Sequence, residues 1–154
     1  LFEKKANLIV SNIGRDPVDQ LKHDKISFTE SDINSIFEQE CDIISPCALG
    51  GVINSETKKK LKCKAIVGAA NNQLDKSETA EWLKENNIFY APDYLVNSGG
   101  VIAISCEINN SEDTLDDQLN KISDKVLSLL KESKKSSLST DKIVEDLAWK
   151  RINI

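Results

Sequence analysis

Three short runs in the middle of the sequence gather residue types suited to holding a ligand. They are Pro46-Cys47-Ala48-Leu49-Gly50-Gly51, Gly68-Ala69-Ala70-Asn71-Asn72-Gln73-Leu74, and Ala91-Pro92-Asp93-Tyr94 continuing into Asn97-Ser98-Gly99-Gly100. Small residues let a ligand approach the backbone, and side-chain amides donate and accept hydrogen bonds without carrying charge. Nucleophilic chemistry is poorly provided for. Cys47 is the one cysteine in these runs, and the chain's single histidine, His23, lies in a polar segment, so no Cys–His pairing is legible. The cysteines at 41, 47, 63 and 106 form no CxxC pair and offer no zinc-ligand spacing; no metal site is expected.

The elements that must position these runs follow from periodicity. Apolar, β-branched segments at 42–45 and 65–68 precede the first two runs, and 88–90 precedes the third. Ligands of open α/β sheets bind beyond the carboxyl ends of the strands, which is where these runs fall. Upstream, 8–13 reads as a strand, 18–21 as a short helix and 26–28 as an edge strand. Thr29 or Ser31 can cap a helix burying Ile33, Ile36 and Phe37, and Asn54 can cap a Lys-rich helix over 55–61. Ser77 to Glu85 reads as a helix ended by Asn86 and Asn87. Strands separated by helices, with crossovers long enough for parallel pairing, predict a doubly wound, Rossmann-like α/β layer with a mainly parallel sheet.

From Gly99 onward the pattern is helical. Leu115, Leu119, Ile122, Val126 and Leu129 recur at alternating spacings of four and three, one apolar stripe on a long helix. A capping linker follows, then a final amphipathic helix with Ile143, Val144, Leu147, Ala148 and Ile152 on its apolar side. The predicted division is an α/β part over 1–108 and a helical part over 109–154.

Composition narrows the class of partner. The chain has 154 residues, about one domain's worth. A formal charge of −5 argues against a nucleic-acid backbone as ligand, and no apolar run approaches membrane-spanning length. Cysteines without a secretory signal fit a reducing, cytoplasmic setting. The sequence starts without Met, and Leu1 to Lys5 reads as the last turn of a helix entering a strand. The strand and G-x-G-x-x-G turn that open a Rossmann unit are not in the sequence, so it reads as part of a longer protein.

The three runs, in this order and at these spacings, resemble the signature segments of the Glu/Leu/Phe/Val amino acid dehydrogenases, in their leucine dehydrogenase branch. That resemblance implies a cofactor-binding part of an enzyme that oxidatively deaminates a branched-chain amino acid to the 2-oxo acid and ammonia, passing hydride to NAD. It places Asn12, Ile13, Cys47, Ala48, Leu49, Ala70, Asn72 and Asn97 beside the cofactor. Asn72 would bridge the nicotinamide ribose and the substrate, Asn97 would hold the carboxamide, and Val101 and Ile104 would line the substrate side-chain pocket. The Lys and Asp that handle protons in the family sit in a separate N-terminal domain, so no catalytic residue is assigned here. Asn12 stands where an acidic residue usually accepts from the ribose, which leaves NADP open beside NAD. The resemblance also implies a small-molecule substrate and a homo-oligomer. The alternatives are a non-catalytic nucleotide-binding or oligomerisation module, or a phenylalanine or glutamate dehydrogenase.

Overall fold

The computed structural model describes residues 2–152, with side chains from residue 3, so Leu1 lies outside the described residues. The chain forms two compact units, residues 1–40 with 60–62, and residues 41–59 with 63–154.

In the first unit a two-stranded parallel sheet pairs β1 (Ile9–Val10) with β2 (Thr29–Glu30) in the register Ile9↔Thr29 and Val10↔Glu30. The crossover is α1 (Asp16–His23). Pro17 sits in its first turn, where a missing N–H costs nothing, and Val18 is its buried anchor. Two expectations are corrected here. The second strand forms at Thr29–Glu30, not at 26–28, because Thr29 and Ser31 donate backbone hydrogen bonds to Leu8 and Val10. The helix expected to bury Ile33, Ile36 and Phe37 is a single 3-10 turn at Ile36–Glu38; Ile33 is exposed and the other two are half-buried. Asp32 explains the change. Its carboxylate accepts the Asn34 N–H and its carbonyl accepts from Ser35, a local turn that competes with a longer helix.

The second unit holds a three-stranded parallel sheet in the order β3 (Ile43–Ile44), β4 (Ala65–Ile66), β5 (Phe89–Tyr90). Its registers are Ile43↔Ala65, Ile44↔Ile66, Ala65↔Phe89 and Ile66↔Tyr90, so all three carboxyl ends lie on one edge. Between β4 and β5 runs α2 (Ser77–Glu85), which buries Thr79, Ala80 and Leu83. It stops where the sequence predicts: Asn87 adopts φ +58°, and the Asn87 and Ile88 N–H groups return to the carbonyls of Lys84 and Leu83. Asn54 caps as expected, accepting from the Glu56 and Thr57 N–H groups, but the segment it caps is a 3-10 turn at Thr57–Lys60.

Beyond β5 come α3 (Asp93–Val96), α4 (Gly99–Ile108), α5 (Leu115–Ser133) and α6 (Thr140–Ile152). The α5 stripe faces inward: Leu115, Leu119, Ile122 and Val126 are half-buried and Leu129 is buried, with α3, α4 and α6 packed around the helix. Helix α6 behaves differently from its pattern. Ile143 is covered and Val144 half-covered, but Leu147 and Ile152 are exposed, so packing uses only its first turns. The core joins Ile53, Ile66, Leu83, Ala91, Cys106, Leu129 and Ile143.

Burial within this unit has a consequence in alkali. It pushes the Cys63 thiol from 9.0 up to about 11, with the nearby Cys41 a further cause, and it raises the Tyr90 and Tyr94 phenols as well. An acid whose folded pKa exceeds its unfolded value stabilises the fold fully below the unfolded pKa, and that contribution is lost as pH rises through the folded one. The urea midpoint should therefore fall between about pH 9 and about pH 11, with Cys63→Ala flattening part of the decline. A midpoint constant over that window would contradict the burial account.

Candidate functional site

The three loops that leave β3, β4 and β5 are stitched to one another before any ligand is considered. The Ala70 N–H donates to the Pro46 carbonyl at 3.0 Å and the Gly51 N–H to the Asn72 carbonyl at 2.7 Å, joining the first loop to the second. The Asn72 N–H donates to Asp93 Oδ2 at 2.8 Å, and Asn97 Nδ2 donates to Asn71 Oδ1 at 2.6 Å, joining the second to the third.

Two glycines let the loops come this close. A Cβ on Gly68 would stand 2.2 Å from the Pro46 carbonyl oxygen, and one on Gly50 would stand 2.9 Å from the Asn71 carbonyl. Gln73 braces the second loop from inside. It is fully buried, and its Nε2 donates to the Gly68 and Ala70 carbonyls at 2.7 and 3.0 Å.

This frame holds a cleft of about 690 Å³. Asn71, Asn72, Asn97 and Ser98 give it a neutral polar wall, Leu74 and Val101 an aliphatic one, and Tyr90, Tyr94, Asp93, Asp141, Ser77 and the cation Lys76 complete the lining. Asn72 occupies the left-handed region at φ +51°, which asparagine tolerates better than most residues. Its side-chain amide has no hydrogen-bond partner among the described residues, so both its donor and its acceptor are available. Helix α4 begins next to the cleft at Gly99, with the Ser98 carbonyl accepting from Ile102.

The carboxylates here are already engaged. Asp93 Oδ1 accepts from the Tyr90 hydroxyl at 3.0 Å while Oδ2 holds Asn72. Asp141, from α6, accepts from the Tyr94 hydroxyl at 3.0 Å. Burial, then the neighbouring carboxylates, hold both phenols well above their ordinary pKa, so they stay protonated and keep donating. The arrangement offers amide and hydroxyl groups beside an apolar surface, with its two carboxylates already hydrogen-bonded and Lys76 adding a positive charge to the lining.

Of the predicted residues, Asn72, Asn97 and Val101 meet on this one cleft. Cys47, Ala48 and Leu49 are exposed on the β3 loop, and Ala70 is buried within the β4 loop. Ile104 lies one turn further along α4 than Val101, outside the cleft wall, and both are exposed. Asn12 and Ile13 belong to the other compact unit. There Ile13 is exposed, and Asn12 donates to the Gly14 carbonyl at 2.8 Å, leaving its own side-chain oxygen as an acceptor. Gln73, considered a ligand candidate from sequence, is a buried brace instead. The residues that sequence reasoning missed are Tyr90, Tyr94 and Asp141. Only the Tyr90/Asp93 spacing was local enough to see; Asp141 is 47 residues from Tyr94 and carries no signal of its own.

The family model described as Glutamate/Leucine/Phenylalanine/Valine dehydrogenase matches residues 4–147. The chain belongs to that family, on its leucine dehydrogenase branch. Over 157 residues it is 36% identical to a leucine dehydrogenase of Thermoactinomyces intermedius, covering 100% of this chain and 42% of the relative. A phenylalanine dehydrogenase of the same organism is 36% identical, over 99% of this chain and 42% of its own length. The crystal structure of an L-tryptophan dehydrogenase from Nostoc punctiforme superposes with a TM-score of 0.92 at 33% identity, covering 99% of this chain and 46% of that one. The chain thus spans less than half the length of the relatives it matches. The shared fold accounts for the parallel sheet and the helices that follow it.

Proposed function

We propose that this chain is the cofactor-binding part of an amino acid dehydrogenase that oxidatively deaminates a branched-chain amino acid, with NAD as hydride acceptor. The observation that carries the reading is the meeting of Asn72, Asn97 and Val101 on one cleft at the carboxyl edge of the parallel sheet. The donor set fits a nicotinamide: uncharged amides can pair with its carboxamide and ribose hydroxyls, and small-residue loops leave its backbone-facing side open. When bound, the cofactor supplies the hydride acceptor; the chain's own work is placement.

In this reading Asn97 turns its free side-chain oxygen to the carboxamide, since its Nδ2 is taken by Asn71. Asn72 reaches the ribose and the substrate, while Cys47, Ala48, Leu49 and Ala70 form the adenosine-side loops. Val101 gives the cleft an aliphatic surface, and Ile104, one turn further along α4 and outside the cleft wall, would extend it, which favours leucine, valine or isoleucine over glutamate. For the adenosine ribose, Asn12 and Ile13 follow β1, where the Asn12 oxygen can accept from a 2′-hydroxyl. Arg15, three residues on from Asn12, is paired with Glu30 at 2.9 Å, which supports NAD over NADP. The proton-transferring groups belong to the remainder of the family's length, and the whole protein assembles as a homo-oligomer.

The test is nicotinamide reduction by the full-length protein, with leucine, valine, isoleucine, phenylalanine and glutamate each paired with NAD and NADP. Turnover of the branched amino acids with NAD is the expected result. Turnover of phenylalanine or glutamate alone would overturn the pocket reading. A folded protein that binds cofactor but reduces it with none of these would leave a nucleotide-binding module.

A further inference from the structure

Two cysteines that the ligand-binding reading does not use stand opposite each other on the far edge of the sheet. Strands β3 and β4 pair as Ile43↔Ala65 and Ile44↔Ile66. One residue before them, Lys64 Nζ lies 2.6 Å from Asp42 Oδ1 and the Lys64 N–H donates to the Asp42 carbonyl, so the register persists to that pair. One more step brings Cys41 opposite Cys63. Directly opposed residues of a parallel ladder point to the same face. The mutual influence of the two thiols, which helps raise Cys63, agrees with that proximity.

We propose that Cys41 and Cys63 form a dithiol site that closes to an intrachain disulfide on exposure to a small-molecule disulfide. Neighbouring strands lie about 4.8 Å apart, inside the span of about 4.4–6.8 Å between Cα atoms that a disulfide requires, so closure needs little backbone movement. All four cysteines are free thiols in the structure, so the pair is in its reduced form. Cys41 is half-buried and Cys63 buried, which sets the order of events. The Cys41 thiolate attacks one sulfur of the oxidant RSSR, giving Cys41–S–S–R and releasing RS⁻. The Cys63 thiolate then attacks the Cys41 sulfur, forming the Cys41–Cys63 bond and releasing the second RS⁻. The protein loses two electrons and two protons, and the oxidant gains them as two thiols. The link would tie β3 to β4 at their amino ends, away from the loops that face the ligand.

The experiment exposes the protein to glutathione disulfide, alkylates what remains free and reads intact and peptide masses. The expected result is a fall from four alkylatable thiols to two, a peptide joining Cys41 to Cys63, and a rise in melting temperature that a reductant reverses. Cys47→Ser should close as readily, and Cys63→Ser should stop at a Cys41 mixed disulfide. Phenylarsine oxide, which bridges two adjacent thiols with loss of water, provides a readout on the unsubstituted protein and should map to the same pair. Four thiols still alkylatable after prolonged exposure, a bond involving Cys47 or Cys106, or an arsenical bound elsewhere would each overturn the assignment.

Discussion

Gly68→Ala should lower the melting temperature by roughly 6–12 °C, whereas Gly100→Ala should leave it unchanged or slightly raised. Both add one methyl group, so the difference isolates what that methyl meets. At Gly68 the new Cβ would lie 2.2 Å from the Pro46 carbonyl oxygen and 2.6 Å from the Pro46 nitrogen and Cδ. Those atoms are backbone and a closed ring. No rotamer change can relieve them, and Pro46 is itself buried. Overpacking usually costs about 1–3 kcal/mol, and an unyielding partner places this case near 3 kcal/mol. In a chain of this length each kcal/mol is worth about 2–4 °C. At Gly100, in the first turn of α4, a Cβ has nothing within 4 Å, and alanine is the better helix former. Thermal unfolding of the two variants beside the parent decides the matter. Equal melting temperatures would mean that the loops after β3 and β4 can separate enough to admit the methyl group without cost.

The same contact shows what could be read from the sequence. Small residues in the loop after β4 announced a close approach, and the apolar periods placed β3, β4, α2 and β5 correctly enough to put three loops on one edge. The partner of each approach was not legible, because a glycine records that something comes near and not what it is. The helix expected around Ile33 failed for a related reason: Asp32 closes a local turn, and apolar spacing alone cannot register that competition. Helix α6 had a good apolar pattern yet leaves Leu147 and Ile152 uncovered, since periodicity tells which residues could be buried but not whether a neighbour arrives. For the site, it was the family resemblance that pointed to Asn72 and Asn97, since asparagines in loops are by themselves equally well explained as turn or cap residues. Of the tyrosine–aspartate pairs around the cleft, Tyr90 and Asp93 are close in sequence, but the Tyr94–Asp141 pair was invisible because it joins α3 to α6 across the fold.

Asp93→Ala should reduce kcat/KM of the full-length enzyme roughly ten- to hundredfold, without Asp93 touching the reacting atoms. Its carboxylate accepts the Asn72 N–H at 2.8 Å and the Tyr90 hydroxyl at 3.0 Å. A hydrogen bond to a charged group is worth about 1.5–3 kcal/mol, which corresponds to about one to two factors of ten when it holds a binding residue in place. Asn72 is held in the left-handed region, a conformation with its own cost, so losing the anchor frees the loop to relax away from the cleft. The buried Tyr90 hydroxyl would meanwhile keep the backbone N–H of residue 93 on its oxygen but lose the acceptor for its own O–H. Asp93→Asn keeps an acceptor for one of the two donors and should lose less, at most about tenfold. A double-substitution cycle separates positioning from a role of its own: once Asn72 is alanine, removing the Asp93 carboxylate should add little, because the group it positions has gone. Additive losses in the cycle would mean that Asp93 acts on the ligand directly, and an Asp93→Ala enzyme with unaltered kcat/KM would mean that the loop holds Asn72 in place without it.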